Sequence, residues 1–574
     1  MKKSQYLHYM KIFLIVCGIA ILIYKVFPIV YFINDDIAMR EIAAGTYTGT
    51  PDGHLIFIKY VLGVILSKFY IKIPGIDWYG IFMYGVHFLC LMLVLSRLTL
   101  CLRKYSRYII LCIGIVLFFC MDFSNIVATF QFTTNAAVCA GTALFLFLTL
   151  PRKETKRQFL IHASAIAFLV VLSFSIRSKV LLMFVPYALI FWILKIISEP
   201  DNRVRYFLFV SVIILLLGGI LIVEKSAYSS KEWTDYKAFN KARAQILDYY
   251  NYPEYDTYEA DYQKIGISRE EYDLLYAGTL NVSSNVTIEK YIKVSELSKK
   301  IYEKNHPFEE RIKDAVENTV YYSFYGLYSA KSMIVLLGYL GICIYFALIK
   351  DKKNLLVMGA LLIIRTVIFF CLFYQGRFPD RIFESILLGD YFVIWAGGVL
   401  IFTKYSDIFE DKCNNNIFLR ILCTVVILMT GILFYSAYHK PFENYKNNEM
   451  ILRDYCNSHT ENRYIKDITG MTSEKEYFLI RQNQEIVNYT TVYGWRTNSE
   501  LYLRKNDAMG ITNIEQALLE DNVFMIETSS NMGYDLINPI INYYKSIGLE
   551  VGYEVVDHVL TNTEQYQVIK FYRK

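Results

Sequence analysis

Apolar runs of membrane length recur through this chain and constrain its fold more than anything else in it. They lie near 9–31, 77–97, 136–150, 159–176, 180–197, 206–223, 331–348, 354–374, 382–402 and 417–437, with a short one near 108–121. A helix that crosses a bilayer needs roughly 17–25 apolar residues, so the shorter runs must borrow neighbours. Of 574 residues, 55% are hydrophobic and only 20% charged, more apolar surface than a soluble protein can bury. The expected fold is mainly α, a polytopic helical membrane protein. The net charge of +6 speaks neither for nor against nucleic acid. Membrane lipids are the partner this composition requires, and no nucleic-acid partner is expected.

Basic residues in short loops set the orientation. Lys2, Lys3 and Lys11 place the N-terminus in the cytoplasm, and "SRLTLCLRKYSR", "PRKETKR", "DNRVR" and "KDKK" read as cytoplasmic loops. The first run has the basic start of a signal peptide but no small-residue cleavage site, so a retained helix is expected. Between the outer Asp35 and the inner Arg97 an odd number of crossings is required. The run "HLIFIKYVLGVILSKFY", interrupted by Lys59 and Lys68, is therefore expected to lie along the outer face. The count comes to about eleven spans, with the C-terminus outside.

Four regions follow. An N-terminal membrane module covers 1–223, with a first external loop at 34–76, and an external helical loop covers 224–330. Further membrane helices occupy 331–437, and an external α/β domain covers 438–574. In that tail, strand-like "EYFLIR", "EIVNYTTVYGW", "NVFMIET" and "YQVIKFYRK" mix with helical "NIEQALLE" and "INPIINYYKSIG", which predicts a small, separable unit. The expected localisation is the plasma membrane. Most of the 11 cysteines lie in apolar runs, so neither a disulfide framework nor a zinc site is expected.

Two groups of residues carry candidate chemistry. Asp35 and Asp36 follow the first run at once. One acid there marks the water boundary or caps the next helix. Two side by side at a low-dielectric boundary raise each other's pKa, which suits a general base or a metal site. Cations sit on the wrong side of the membrane: Arg177 and Lys179 in "FSIRSKVLLMFVP", and Arg377 and Arg381 in "FYQGRFPDRIFESI". A single such residue snorkels to headgroups. Two tight outer turns with two cations each suit a phosphate, which the Arg fork binds through two oxygens. His54, in "TGTPDGH", is a candidate for orienting a substrate, for ligating a metal or for polar anchoring. Arg365 and Asp390 reach similar depths in adjacent runs and are expected to pair.

"INDDIAM" and the following "TGTPDGHLIFIKYVLGVILSKFYIKIPGIDWYG" resemble the GT-C superfamily of integral membrane glycosyltransferases, in the protein O-mannosyltransferase and lipid A aminoarabinose transferase branch. The likeness covers residues 9–100, and beyond them only topology agrees. It implies transfer of a sugar from a polyprenyl-phosphate donor to a cell-envelope glycan, lipid or protein outside the cytoplasm. One of Asp35 and Asp36 would be the general base, and inversion is implied. No cofactor is fixed by the sequence, and a divalent metal stays open. Other classes are an envelope polysaccharide polymerase or ligase, a transporter or flippase, and an adhesion or sensor protein. The last leaves the acids and outer cations without a purpose.

Overall fold

The computed structural model describes residues 3–31, 34–102, 104–120, 124–151, 155–325, 329–404, 448–467, 476–482, 485–527, 535–561 and 565–574, with scattered positions between 421 and 435. Most of the run at 417–437 and the start of the tail thus lie outside the described residues. Among those described, seven helices are long and apolar enough to cross a membrane. They fall within α1 (Lys3–Val26), α4 (Trp78–Cys101), α8 (Lys156–Ser198), α9 (Arg203–Ala227), α15 (Ser329–Leu348), α16 (Lys352–Tyr374) and α17 (Asp380–Lys404). Two apolar helices are shorter, α5 (Lys104–Cys120) and α7 (Phe132–Leu148). Large apolar side chains such as Leu215, Ile222, Leu348 and Leu356 are bare on the outside of the bundle. A bilayer is the solvent that covers such a surface.

The sequence predicts two spans at 159–176 and 180–197, and α8 runs through both. At Arg177 its backbone leaves helical geometry (φ −155°, ψ 92°). Near its start, the Phe159 ring lies 6.0 Å from that of Tyr206. Near its end, the Trp192 indole N–H donates to the Tyr206 carbonyl at 3.3 Å. A straight helix would hold residues 159 and 192 about 50 Å apart. The chain therefore doubles back at Arg177, and α8 is a helical hairpin.

The bundle has two distinct ends. At one lie the Arg177 turn and the starts of α4, α7 and α17. Asp77 caps α4 by accepting from the Gly80 N–H at 2.9 Å, and Gln131 caps α7. At the other end, Cys101 lies 3.7 Å from the Thr149 carbonyl and Lys195 reaches the Leu150 carbonyl at 3.4 Å. Helix α3 (Tyr60–Lys72) has 13 residues, too few to span. The Glu224 carboxylate, near the end of α9, accepts from the Tyr60 N–H at 2.7 Å, and the Tyr70 hydroxyl donates to Asp77 at 2.9 Å. Both ends of α3 thus sit at the Arg177 end, and the helix runs across it.

The expected Arg365–Asp390 pair is present and buried, with Nε 3.0 Å from Oδ2. Asp390 also accepts from the Tyr187 (3.2 Å) and Tyr339 (2.9 Å) hydroxyls. Hydrogen bonds to the remaining lone pairs are what make a buried ion pair tolerable.

Residues 231–324 form a cap of helices over the Arg177 end: α10 (Lys231–Gln245), α11 (Tyr255–Ile265), α12 (Arg269–Tyr276), α13 (Ile288–Asn305) and α14 (Phe308–Phe324). The tail supplies a five-stranded mixed sheet in the order β5-β3-β6-β8-β7, from Thr490–Thr491, Arg463–Lys466, Val523–Glu527, Gln565–Arg573 and Val551–Leu560. The tail is not free-standing. Its core of Ile465, Met525, Ile540 and Phe571 takes in Leu274 and Val282 from the helical cap. Strand β4 (Glu476–Tyr477), within "EYFLIR", leaves that sheet altogether. It pairs antiparallel with β1 (Val30–Tyr31), which also pairs in parallel with β2 (Thr129–Phe130). Any side chain at Gly80 would meet the Phe478 ring and the Tyr31 hydroxyl at 2.4 Å, so glycine lets this strand approach α4. The tail expected to bury a core of its own thus shares that core with the helical cap and lends one strand to the membrane bundle.

Candidate active site

Asp35 and Asp36 open α2 (Asn34–Ala44), just beyond β1. Asp36 is fully buried. Its Oδ1 accepts from the Tyr79 hydroxyl at 2.7 Å and from the Phe132 N–H at 3.2 Å, which ties α2 to the first turns of α4 and α7. Its Oδ2 is buried without a hydrogen-bond partner among the described residues. Burial pushes the Asp36 carboxyl well above the usual carboxylate range; the Tyr79 bond opposes this and the neighbouring Asp35 adds to it.

Asp35 is half-buried and has other neighbours. Burial raises its pKa, while Arg381, Arg177 and Arg243 and the Trp495 side chain pull it back. A partly desolvated carboxylate is a stronger base than one in water, and the cations oppose its protonation. Arg381 comes from the start of α17, Arg177 from the turn of α8, and Arg243 from α10. The Arg177 guanidinium lies 5.2 Å from the Phe57 ring and 5.1 Å from the Phe132 ring. Phe57 meets the Trp495 ring at 4.8 Å.

The remaining predicted cations stand behind these. Arg377 pairs with Asp248 and lies 6.0 Å from the Tyr249 ring, and Lys179 is electrostatically coupled to Arg177, Arg377 and Asp248. His54 is set apart, with both ring nitrogens engaged. Nδ1 lies 2.7 Å from Asp52 Oδ1 and Nε2 3.2 Å from the Ala227 carbonyl, while the ring stacks on Trp233 at 4.9 Å. It anchors the first loop to the end of α9. Tyr79, Arg243 and Trp495 escaped the sequence reading, because each is one aromatic or basic residue with no local pattern around it.

The rest of α2 is a buried latch for the tail. Arg40 grips Glu476 through both carboxylate oxygens, at 2.6 and 3.0 Å. Glu41 accepts from Arg453 at 2.6 Å and Arg496 at 2.9 Å. Burial drives the Glu41 pKa up, but Arg453, Arg496 and Arg40 outweigh it and hold it below the usual range. At the rim, Arg504 reaches Asp52 at 2.8 Å.

Among the described residues, no three His, Cys, Asp or Glu side chains gather as a metal cage requires. Fold and site together give a mainly helical protein whose apolar helices are of the length and composition of a multi-pass membrane protein, with paired carboxylates and an arginine cluster at one end of its bundle. Beyond that class, no family model matches the chain, and neither a curated protein nor a solved structure does.

Proposed function

We propose that the protein is a membrane glycosyltransferase of the GT-C kind, moving a sugar from a polyprenyl-phosphate donor to an extracytoplasmic acceptor. The observation that carries this reading is the meeting of Asp35 with Arg177 and Arg381, residues drawn from three distant segments. Asp35 takes the proton of the acceptor hydroxyl. The acceptor oxygen attacks the anomeric carbon, the bond from that carbon to the phosphate oxygen breaks, and polyprenyl phosphate leaves with the bonding pair. Arg177 and Arg381 stabilise the negative charge as it forms on the phosphate. Attack opposite the leaving group inverts the anomeric centre. Asp36, held by Tyr79 and the Phe132 N–H, positions α2.

In this reading the acid end faces out of the cytoplasm. Support comes from the opposite end, where Arg97, Arg107, Lys195, Arg203 and Lys353 gather as cytoplasmic loops require. Counting α8 twice, adding α5 and α7, and including the run at 417–437 gives about eleven crossings.

The arginines supply the test. In membranes given a polyprenyl-phosphate sugar, Arg177→Ala and Arg381→Ala should each lower donor use and turnover by about tenfold to a hundredfold, the range for a charge-assisted hydrogen bond. Lys179→Ala, one step further from Asp35, should cost less. Unchanged donor dependence in both arginine variants would remove the phosphate assignment.

A further inference from the structure

One segment of the tail enters the site itself. In "TVYGWRTNS", Gly494 holds a positive φ (122°), a turn open to glycine, and the next two side chains serve different acids. Arg496 goes to Glu41 in the latch, and Trp495 goes to Asp35. The Tyr236 hydroxyl of α10 fixes the Trp495 carbonyl at 2.6 Å from the other side. Just before the turn, the Tyr493 hydroxyl lies 2.7 Å from that of Tyr291 on α13. This indole is therefore held on both flanks, yet its ring stays half-buried beside half-buried Phe57 and Arg177. One side of this tryptophan packs against the bundle core, and the apolar surface that remains lies bare next to a base and cations.

We propose that Trp495 is a sugar platform: its ring, flanked by Phe57, supports the C–H face of the donor's pyranose while its N–H side keeps Asp35 oriented. The proposal rests on the glycosyltransferase reading and extends it to a specificity element carried by the tail. Aromatic faces offer apolar area at little conformational cost, and neighbouring polar groups fix orientation. The arginines hold the phosphate end, so the ring of the sugar comes to lie across the indole. Such a platform contacts C–H groups common to pyranoses and tolerates differences in hydroxyl pattern.

Binding in nanodiscs tests this without relying on turnover. The probes are bare polyprenyl phosphate and polyprenyl-phosphate glucose, mannose and N-acetylglucosamine, each with the full chain and with its Trp495→Ala and Trp495→Phe variants. The wild type should bind at least one sugar-bearing lipid about tenfold tighter than the bare lipid, as a buried tryptophan contact provides. Trp495→Ala should lose that preference and keep its affinity for bare polyprenyl phosphate, and Trp495→Phe should retain most of the preference. A Trp495→Ala protein that still prefers the sugar-bearing lipid overturns the platform. So does a wild type with no preference across the panel, since any pyranose should stack. Failure of every polyprenyl phosphate to bind, bare or loaded, overturns the donor reading and this inference with it.

Discussion

Changing Asp35 to Asn lowers sugar transfer by about a hundredfold or more, the loss expected when a general base is removed. Asn keeps the size and polarity of the side chain, so the site stays assembled, but its amide cannot take the acceptor's proton. The pH profile separates chemistry from collapse. Because burial raises the Asp35 pKa, the acid limb of the wild-type rate should lie above the ordinary Asp value of about 3.9. Arg381→Ala removes a charge that pulls this pKa down, so the limb of that variant should move to higher pH. Asp36→Asn retains an oxygen for Tyr79 and the Phe132 N–H, and its loss should be the smaller one. Rates for Asp35→Asn within a few-fold of wild type, at equal protein level, would show that Asp35 is a boundary residue.

Glu41→Gln destabilises the folded protein by about 3–5 kcal/mol, the cost of removing one partner from a buried ion pair. Two arginines, 453 and 496, are left buried against a neutral amide. By contrast, Arg504→Ala breaks the pair with Asp52, in which the arginine side chain is 42% exposed, and should cost about 0–1 kcal/mol. The pH dependence follows from the sign of the shift. The Glu41 pKa is lowered by folding, so its contribution is present above the unfolded value of about 4.3 and is lost as pH falls through the folded value. Melting curves in nanodiscs should therefore separate wild type from Glu41→Gln at neutral pH and bring them together in acid. Coincident curves at neutral pH would contradict the latch. Since Arg496 adjoins Trp495, loosening the latch should also reduce transfer.

The bundle was legible because hydropathy acts on every residue of a span and needs no partner. The acids at 35 and 36 and the cations at 177 and 381 stood out for a related reason, as charges where lipid or positive-inside logic forbids them. Periodicity also located β6, within "NVFMIET", and β8, to within one residue of "YQVIKFYRK". What stayed hidden was pairing over long distances. Glu41 and Arg496 are 455 residues apart, and nothing near either one announces the other. Strands of two residues, such as β1 and β4, are too short to show alternation, so "EYFLIR" was placed in the tail's own sheet. Autonomy of the tail is what its alternating strand-like and helical runs predict, and such local patterns do not show which other segment completes a core. Leu274 and Val282 carry no local mark of their destination, and only packing shows that they belong to the core under the sheet. Trp495 had no signal at all, since its role arises from where Gly494 turns the chain.

The fate of the donor tests the account most directly. Membranes carrying the protein are given an anomerically pure, labelled polyprenyl-phosphate sugar and an envelope acceptor fraction, and both lipid and glycan products are followed. The account predicts release of one polyprenyl phosphate for each sugar transferred, opposite anomeric configuration in the product, and both events slowed by about a hundredfold or more with Asp35→Asn. A donor that stays intact and only moves between leaflets, as in a flippase, or a product that keeps the donor's configuration, would contradict it.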